Sequence, residues 1–202
     1  MKMESAVKGE TRKKILDLAE ALLLSHGYHG FSYQQISKVL GVRNAAIHYH
    51  FPHKTDLGVA LIQRYRRRFA RFTDSQQLLS GREQLERYFE LSETYFAKDR
   101  QICPSGVLST EFPRLPEIMQ AEASAFIDEM RSWAVLIALK GRAEATMTYA
   151  GEAEAIGAVL FSTLQGALQL ARIDENILVT VKNQIRAMLG INMAGLHEKA
   201  DK

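Results

Sequence analysis

The segment from residue 43 to residue 50 carries side chains that can bond base edges and phosphate oxygens. Arginine can bond guanine O6 and N7 together, and asparagine can do the same with adenine N6 and N7. Tyrosine and histidine can contact phosphates, and small alanines allow close approach and contact with a thymine methyl group. The candidates are Arg43, Asn44, Ala45, Ala46, His48, Tyr49 and His50. Arg43 could face a base, a phosphate or solvent, and His48 could reach either an edge or a phosphate.

The residues around this segment predict the scaffold that would position it. Ser32 and Gln35 have the spacing of a capping box, which begins a helix. Gly41 would make a tight turn, and Pro52 cannot continue the second helix. The apolar residues would form the inner face: Ile36, Val39, Leu40, Val42, Ile47 and Phe51. The pattern is that of a helix-turn-helix, which presents its second helix to the major groove.

Phosphate contacts should supply most of the affinity, because they release cations condensed on DNA. Lys54 stands at the predicted start of the next helix, and Thr11 and Lys14 are further candidates. Residues 1–72 carry thirteen Lys or Arg and five Asp or Glu, a net charge of +8, whereas the remaining residues carry −5. This asymmetry favours a nucleic-acid partner. The arginines of residues 64–71 are predicted to form a solvated helix face or a clamp between domains rather than a DNA contact.

Helical periodicity runs through the chain, so we predict an all-α fold. The expected helices are about 7–26, the two around Gly41, a connector at about 54–72, and then 80–98, 105–112, 117–145, 152–172 and 174–191. Residues 1–55 would form a three-helix DNA-binding domain. Residues 56–202 would form a larger helical domain for regulation and dimerisation.

The composition excludes several classes of protein. The single cysteine, Cys103, rules out an internal disulfide framework and a multi-cysteine zinc site, and we expect no cofactor and no metal. No apolar run is long enough to span a bilayer, and the polar N-terminus lacks a secretory signal. We therefore expect a cytoplasmic protein without a membrane partner. A nucleophile elbow and a Walker-type loop are both absent, so we predict no enzyme activity.

Residues 11–57 resemble the N-terminal domain of the TetR/AcrR family of transcriptional regulators. The resemblance rests on Gly27-Tyr28, Phe31, Ile36-Ser37, Leu40-Gly41-Val42, Ile47-His48-Tyr49-His50-Phe51, Lys54 and Asp56-Leu57. It implies a homodimer that binds an operator in double-stranded DNA, usually as a repressor, and leaves it when a small ligand binds. The family often has Ser at the position of Arg43 and Tyr at that of His48. Either Asn44 caps the recognition helix one residue later, or Arg43 contacts DNA directly.

The last two helices carry apolar stripes that suggest a dimer interface. Such regulators pair these helices with their two-fold mates, and a single head reads too few base pairs for useful specificity. The alternative is that the stripes pack within one subunit. The predicted interface residues are Ile156, Val159, Leu160, Thr163, Leu164, Ala167, Ile177, Val181, Ile185 and Met188.

Aromatic and methionine side chains in the middle helices suggest a pocket for a small apolar or aromatic effector, although each could be ordinary core. The predicted lining residues are Phe89, Phe96, Cys103, Phe126, Met130, Trp133 and Gln165. Cys103 begins a run, Cys-x-x-Gly-x-Leu-x-x-Glu, that resembles the C-terminal domain of a subset of these regulators. Its place before a short helix would favour a thiolate, so a redox- or electrophile-sensing repressor is one alternative. A helical protein-interaction domain without DNA binding is the other.

Overall fold

The structure is a computed structural model that describes residues 2–97 and 100–191, with side chains from residue 9 onward. Over these ranges it contains nine α-helices, one 3₁₀ turn and no strand, which confirms the all-α prediction. The helices are α1 (Lys2–His26), α2 (Tyr33–Leu40), α3 (Asn44–His50), α4 (Lys54–Ser75), α5 (Gly81–Phe96), α6 (Pro104–Glu111), α7 (Glu117–Ala143), α8 (Ala153–Ala171) and α9 (Asn176–Met188). The 3₁₀ turn is Phe112–Arg114.

The chain folds into two compact units. Unit 1 consists of the described residues up to Arg68 together with Pro104–Ile127, and unit 2 of the described residues in 69–103 and 128–202. The division at 1–55 and 56–202 was predicted by function and stays a prediction. The structure adds that α6 and the beginning of α7 fold with the helix-turn-helix.

Unit 1 is built around α1, which packs on α2 and on α6. Its interior is apolar, and its fully buried side chains include Ile15, Leu23, Ile36, Ile47, Leu57, Leu61 and Ile62. Burial of such side chains is the main source of folding free energy.

Ion pairs fasten α4 within unit 1. Arg64 pairs with Asp17 and Glu20 of α1, and Arg68 pairs with Glu20 at 2.5 Å. Arg66 pairs with Glu122 of α7 at 2.6 Å. Three of the α4 arginines thus fasten helices within unit 1, whereas the clamp predicted for this run was one between domains.

Unit 2 is organised by α8, which packs against α9 and α5. A small cluster of buried residues joins these elements: Cys103, Ala167, Leu168, Ala171 and Leu178. Arg186 of α9 holds Glu86 of α5 with two hydrogen bonds, of 2.8 and 2.6 Å. Among the residues that the structure describes, no helix combines the length and apolar character that crossing a membrane requires.

Candidate nucleic-acid interface

The helix-turn-helix forms as its cap residues predict. The Ser32 hydroxyl accepts a hydrogen bond from the Gln35 backbone N–H at 3.3 Å, and the Gln35 side chain accepts one from the Ser32 N–H at 2.7 Å. Gly41 ends α2 with φ of 66°, a left-handed conformation that glycine adopts without steric cost. This turn sets the angle at which α3 leaves α2.

The predicted inner face is correct except at one position. Ile36, Ile47 and Phe51 are at most 2% exposed, and Leu40 and Val42 are half-buried. Val39 is 68% exposed, so its predicted place in the core is wrong. The buried face of α2 is centred between Ile36 and Leu40, and Val39 lies roughly 100° around the helix from Leu40.

Tyr33 is a positioning residue that the sequence reasoning did not identify. Its hydroxyl lies 2.8 Å from the Phe51 carbonyl oxygen and 2.7 Å from that of His53, between which its single proton is shared. Its ring meets that of His48 edge to face, with centroids 4.9 Å apart. Burial raises the pKa of Tyr33, so the phenol stays protonated and donates. The signal was its place one turn before Ile36, on the buried face of α2.

The first turn of α3 leaves its side chains directed to the outside. Arg43 is the N-cap residue and makes no side-chain cap bond, and Asn44 is the first helical residue. The expectation that Asn44 caps the helix is therefore wrong, because the helix begins one residue too early for it. Arg43, Asn44 and Ala45 are exposed, and Ala46 is half-buried. Their predicted base contacts stay predictions.

The end of α3 carries the ring side chains. His48 is exposed, and its Nδ1 donates to the Pro52 carbonyl at 3.1 Å, which leaves Nε2 as the atom available to DNA. Tyr49 is 66% exposed, and its ring meets that of the half-buried His50 at a centroid distance of 5.2 Å. These contacts restrict the rings before any partner binds.

Lys54 is turned inward more than a simple phosphate contact requires. Its ammonium donates to the Phe31 carbonyl at 2.5 Å and lies 4.6 and 4.4 Å from the ring centroids of Tyr28 and Phe31. Burial lowers the pKa of Lys54, and the nearby Glu111 carboxylate offsets part of this effect. Of the other predicted phosphate contacts, Thr11 is half-buried on α1, and Lys14 is exposed and pairs with Glu10 at 2.8 Å. Phosphate binding by these three residues stays a prediction.

The residues predicted for the effector pocket do not all belong to the same compact unit. Phe126 belongs to unit 1, where its ring stacks on Tyr65 at 6.2 Å. Phe89, Met130 and Trp133 are buried in unit 2, and Phe96 is half-buried there. The Trp133 ring is held edge-on by Phe69, Phe72 and Tyr88, at 5.4 to 5.8 Å.

Cys103 is a buried cysteine that is hydrogen-bonded to Gln165. The side chain is 5% exposed, and its Sγ–H donates to Oε1 of Gln165 at 3.0 Å. The predicted activation of the thiol by the following helix stays a prediction.

The predicted dimer stripe is largely internal to the subunit. Ile156, Leu160, Leu164, Ala167 and Ile185 are at most 8% exposed, which is a correction, because such residues have no surface for a partner. Thr163, Ile177, Val181 and Met188 are half-buried, and Val159 is 43% exposed. The strongest apolar stripe of α8 is therefore buried in the core of its own subunit. The exposed face of α8 is instead formed by Ala155, Val159, Ser162, Gly166 and Leu170.

Comparison with known proteins identifies the helix-turn-helix unit. Residues 15–61 match the model of the bacterial regulatory proteins of the tetR family. This range includes both helices of the motif and the beginning of α4. No curated protein sequence matches the chain.

The fold is similar to solved structures over almost its whole length. A TetR-family transcriptional regulator from Agrobacterium tumefaciens is 29% identical, with 90% of this chain and 99% of that chain covered and a TM-score of 0.84. A TetR transcriptional regulator from Legionella pneumophila is 30% identical, with 89% and 97% covered and a TM-score of 0.79. A putative regulator from Saccharomonospora viridis in complex with choline has the same fold at 21% identity, with 91% and 97% covered and a TM-score of 0.74.

Proposed function

The chain belongs to the TetR family of bacterial regulatory proteins and is a DNA-binding transcriptional regulator, and from this premise we propose that it is a repressor. It binds a palindromic operator as a homodimer and leaves the DNA when a small ligand binds. The observation that carries the proposal is the helix-turn-helix with an exposed polar first turn on α3.

Base reading is assigned to Arg43 and Asn44, with Ala45 and Ala46 allowing the helix to approach. Phosphate binding is assigned to Tyr49, His50, Lys54 and Thr11, and His48 can serve either purpose through Nε2. In support, Tyr33 and Gly41 fix both ends of the recognition segment, so little ordering of α3 is needed on binding.

The operator is found by selecting bound sequences from random duplex DNA and measuring their affinity by fluorescence anisotropy. We expect a two-fold symmetric consensus whose half-site centres are about one helical turn, roughly 34–36 Å, or a multiple of it apart. Binding with no sequence preference would contradict the proposal, as would an asymmetric single half-site.

The homodimer is supported by the exposed face of α8, which consists of small and apolar residues. Val159 and Leu170 are 43% and 51% exposed, and a Cβ built on Gly166 meets no atom within 4 Å. A side chain at Gly166 therefore fits the single subunit but would obstruct a helix packed against this face. Such two-fold contacts are isologous, so one substitution acts twice.

Gly166→Arg tests the interface. We expect a dimer-to-monomer shift in sedimentation and a loss of operator affinity of more than tenfold, with the helical content unchanged. Thr94→Arg, at an exposed site on α5, is the matched control and should remain dimeric. A Gly166→Arg protein that stays dimeric would contradict the use of this face.

Release by a small ligand is supported by the fold shared with the Saccharomonospora viridis protein that was solved with choline. The thiol-sensing alternative is less well supported, because Cys103 is buried and donates its proton. Operator release by hydrogen peroxide that disappears in Cys103→Ser would favour the alternative. Equal responses of the two proteins would exclude it.

A further inference from the structure

A cleft of about 630 Å³ lies in unit 2, between the end of α4, the beginning of α5 and the second half of α7. Small-molecule sites commonly have volumes of ~300–1,000 Å³. Of the residues predicted for the effector pocket, Trp133 alone lines this cleft. It is therefore a candidate site that the sequence pattern did not reveal.

One wall of the cleft is apolar and uncovered. Leu136 and Leu139 of α7 are 57% and 44% exposed, and Ala143 continues the same wall one turn later. Trp133 forms the inner end of this wall, and its contacts with Phe72 and Tyr88 hold its ring in place. An apolar body bound here would remove these side chains from water.

The opposite wall presents hydrogen-bond acceptors. The Gln84 amide group donates to the backbone oxygens of Gln76 at 3.0 Å and Leu79 at 3.1 Å, so both of its protons are used and Oε1 is left to accept. The Thr73 hydroxyl donates its proton to the Ala70 backbone oxygen at 2.9 Å, so its own oxygen is likewise left to accept. The Asp74 carboxylate accepts one hydrogen bond from the Gln77 amide at 3.3 Å and has further acceptor positions.

The charges of the cleft leave one carboxylate without a counter-charge. Lys140 is the cation in the lining, and it is paired with Glu144 at 3.0 Å. The second oxygen of Glu144 accepts from the Gly81 backbone N–H at 2.8 Å, which fixes that pair at the rim. Within the described ranges, Asp74 forms no ion pair. A ligand that brings donors and a positive charge would satisfy this wall, whereas an acid would face acceptors.

We propose that this cleft binds organic ammonium compounds, with the ammonium N–H groups donating to Asp74 and an apolar body lying on Leu136 and Leu139. The Gln84 and Thr73 oxygens accept from the ammonium group or from a second donor on the ligand. The binding step is independent of DNA. The use of this site to release the operator rests on the function proposed above.

The test measures binding of three probes of nearly equal shape to the full chain by titration calorimetry. The probes are 2-(1-naphthyl)ethylamine, 2-(1-naphthyl)ethanol and 1-naphthaleneacetic acid. We expect the amine to bind at least tenfold more tightly than the alcohol, and the acid to bind most weakly. Equal affinities of amine and alcohol, or no binding of the amine, would overturn the proposal.

Two variants assign the binding to the cleft. Asp74→Asn should weaken the amine at least tenfold and leave the alcohol unchanged, since it removes the charge from an exposed position. Asp128→Asn, an exposed acid elsewhere on α7 in unit 2, is the matched control. Leu136→Ser should weaken both amine and alcohol. Unchanged amine binding in Asp74→Asn would overturn the assignment.

A separate arm measures operator affinity with and without the amine. Loss of operator affinity in the wild type but not in Asp74→Asn supports effector release through this site. Amine binding without any change in operator affinity supports the site and contradicts release through it. Failure of operator binding in the absence of amine would instead contradict the proposed function, so the two failures are distinguishable.

Discussion

The Glu111 carboxylate, at the end of α6, accepts a hydrogen bond from the Tyr28 backbone N–H at 2.5 Å. Glu111 is 9% exposed, and Tyr28 follows Gly27 in the turn between α1 and α2. A Cβ built on Gly27 would lie 2.7 Å from Glu111 Oε1, so a larger residue here would displace the carboxylate. The contact joins α6 to the helix-turn-helix within unit 1.

Glu111→Ala should destabilise the protein by about 1–3 kcal/mol, because it leaves a buried backbone N–H without its acceptor. Chemical denaturation checks this, with Ser109→Ala at an exposed site of the same helix as the control. Gly27→Ala should destabilise as well, from the clash and from its φ of 77°. In the double variant the clash is gone, so the two losses should sum to more than the measured value. Strict additivity would contradict the contact.

Tyr33→Phe should lower the free energy of unfolding by about 0.5–1.5 kcal/mol, because the ring is kept and only the hydroxyl bonds to Phe51 and His53 are lost. Operator affinity should fall too, since the end of α3 is less well fixed. Tyr149→Phe is the control, because that buried hydroxyl has no hydrogen-bond partner in the described residues. Equal losses in the two variants would mean that the Tyr33 bonds contribute nothing.

Arg43→Ala should relax the preference for one base pair in each half-site, by about 1–3 kcal/mol if the guanidinium bonds guanine. The measurement is the affinity for a set of operators that differ singly from the selected consensus. Lys38→Ala, at an exposed site on α2, is the control for loss of positive charge. A uniform loss across all operators would assign Arg43 to a phosphate instead.

Lys54→Met tests the inward-turned ammonium. Methionine can fill the space between Tyr28 and Phe31, so most of the packing should be retained. If Lys54 binds a phosphate in the complex, the slope of log affinity against log salt should decrease by about 0.9 per protomer. We expect this decrease when operator affinity is measured by fluorescence anisotropy between about 50 and 200 mM salt. An unchanged slope with reduced stability would assign the ammonium to the fold alone.

Glu122→Gln should make the free energy of unfolding less dependent on pH in the acid range. The pKa of Glu122 is lowered from the ordinary value of 4.5, chiefly by a hydrogen bond from Gln63. Burial opposes this shift, and the hydrogen bond and charge of Arg66 add to it. A lowered pKa in the folded state stabilises the protein above pH 4.5, and this stabilisation is lost as the pH falls through the folded value. The wild type should therefore be more stable than the variant at pH 7, with the difference shrinking below pH 4.5. Glu154→Gln, exposed on α8, should show no such convergence.

Local patterns predicted local structure well. The capping box at Ser32, the left-handed Gly41 and the break at Pro52 depend on residues within four positions of one another. The two short helices of the motif could be read from these residues without knowledge of the rest of the chain. The same is true of the exposed first turn of α3.

Side-chain partners far apart in sequence could not be predicted in this way. Val39 was placed in the core because it is apolar, but the face of α2 is chosen by what packs against it. The α8 stripe of Ile156, Leu160 and Leu164 was predicted to meet a partner subunit, although it is buried within the same chain, where α8 packs against α5 and α9. Hydrophobicity shows that a face is buried, but it does not say by which surface.

By itself the sequence determined the class of protein, the positions of its helices and the segment that is predicted to face DNA, because caps, turns and helical periodicity are encoded locally. Only the tertiary structure decided that Lys54 turns toward Phe31, that Glu111 holds the α1–α2 turn and that Asp74 faces an open cleft. Those relationships join residues brought together by packing, whose free energy depends on contacts that no spacing along the chain records.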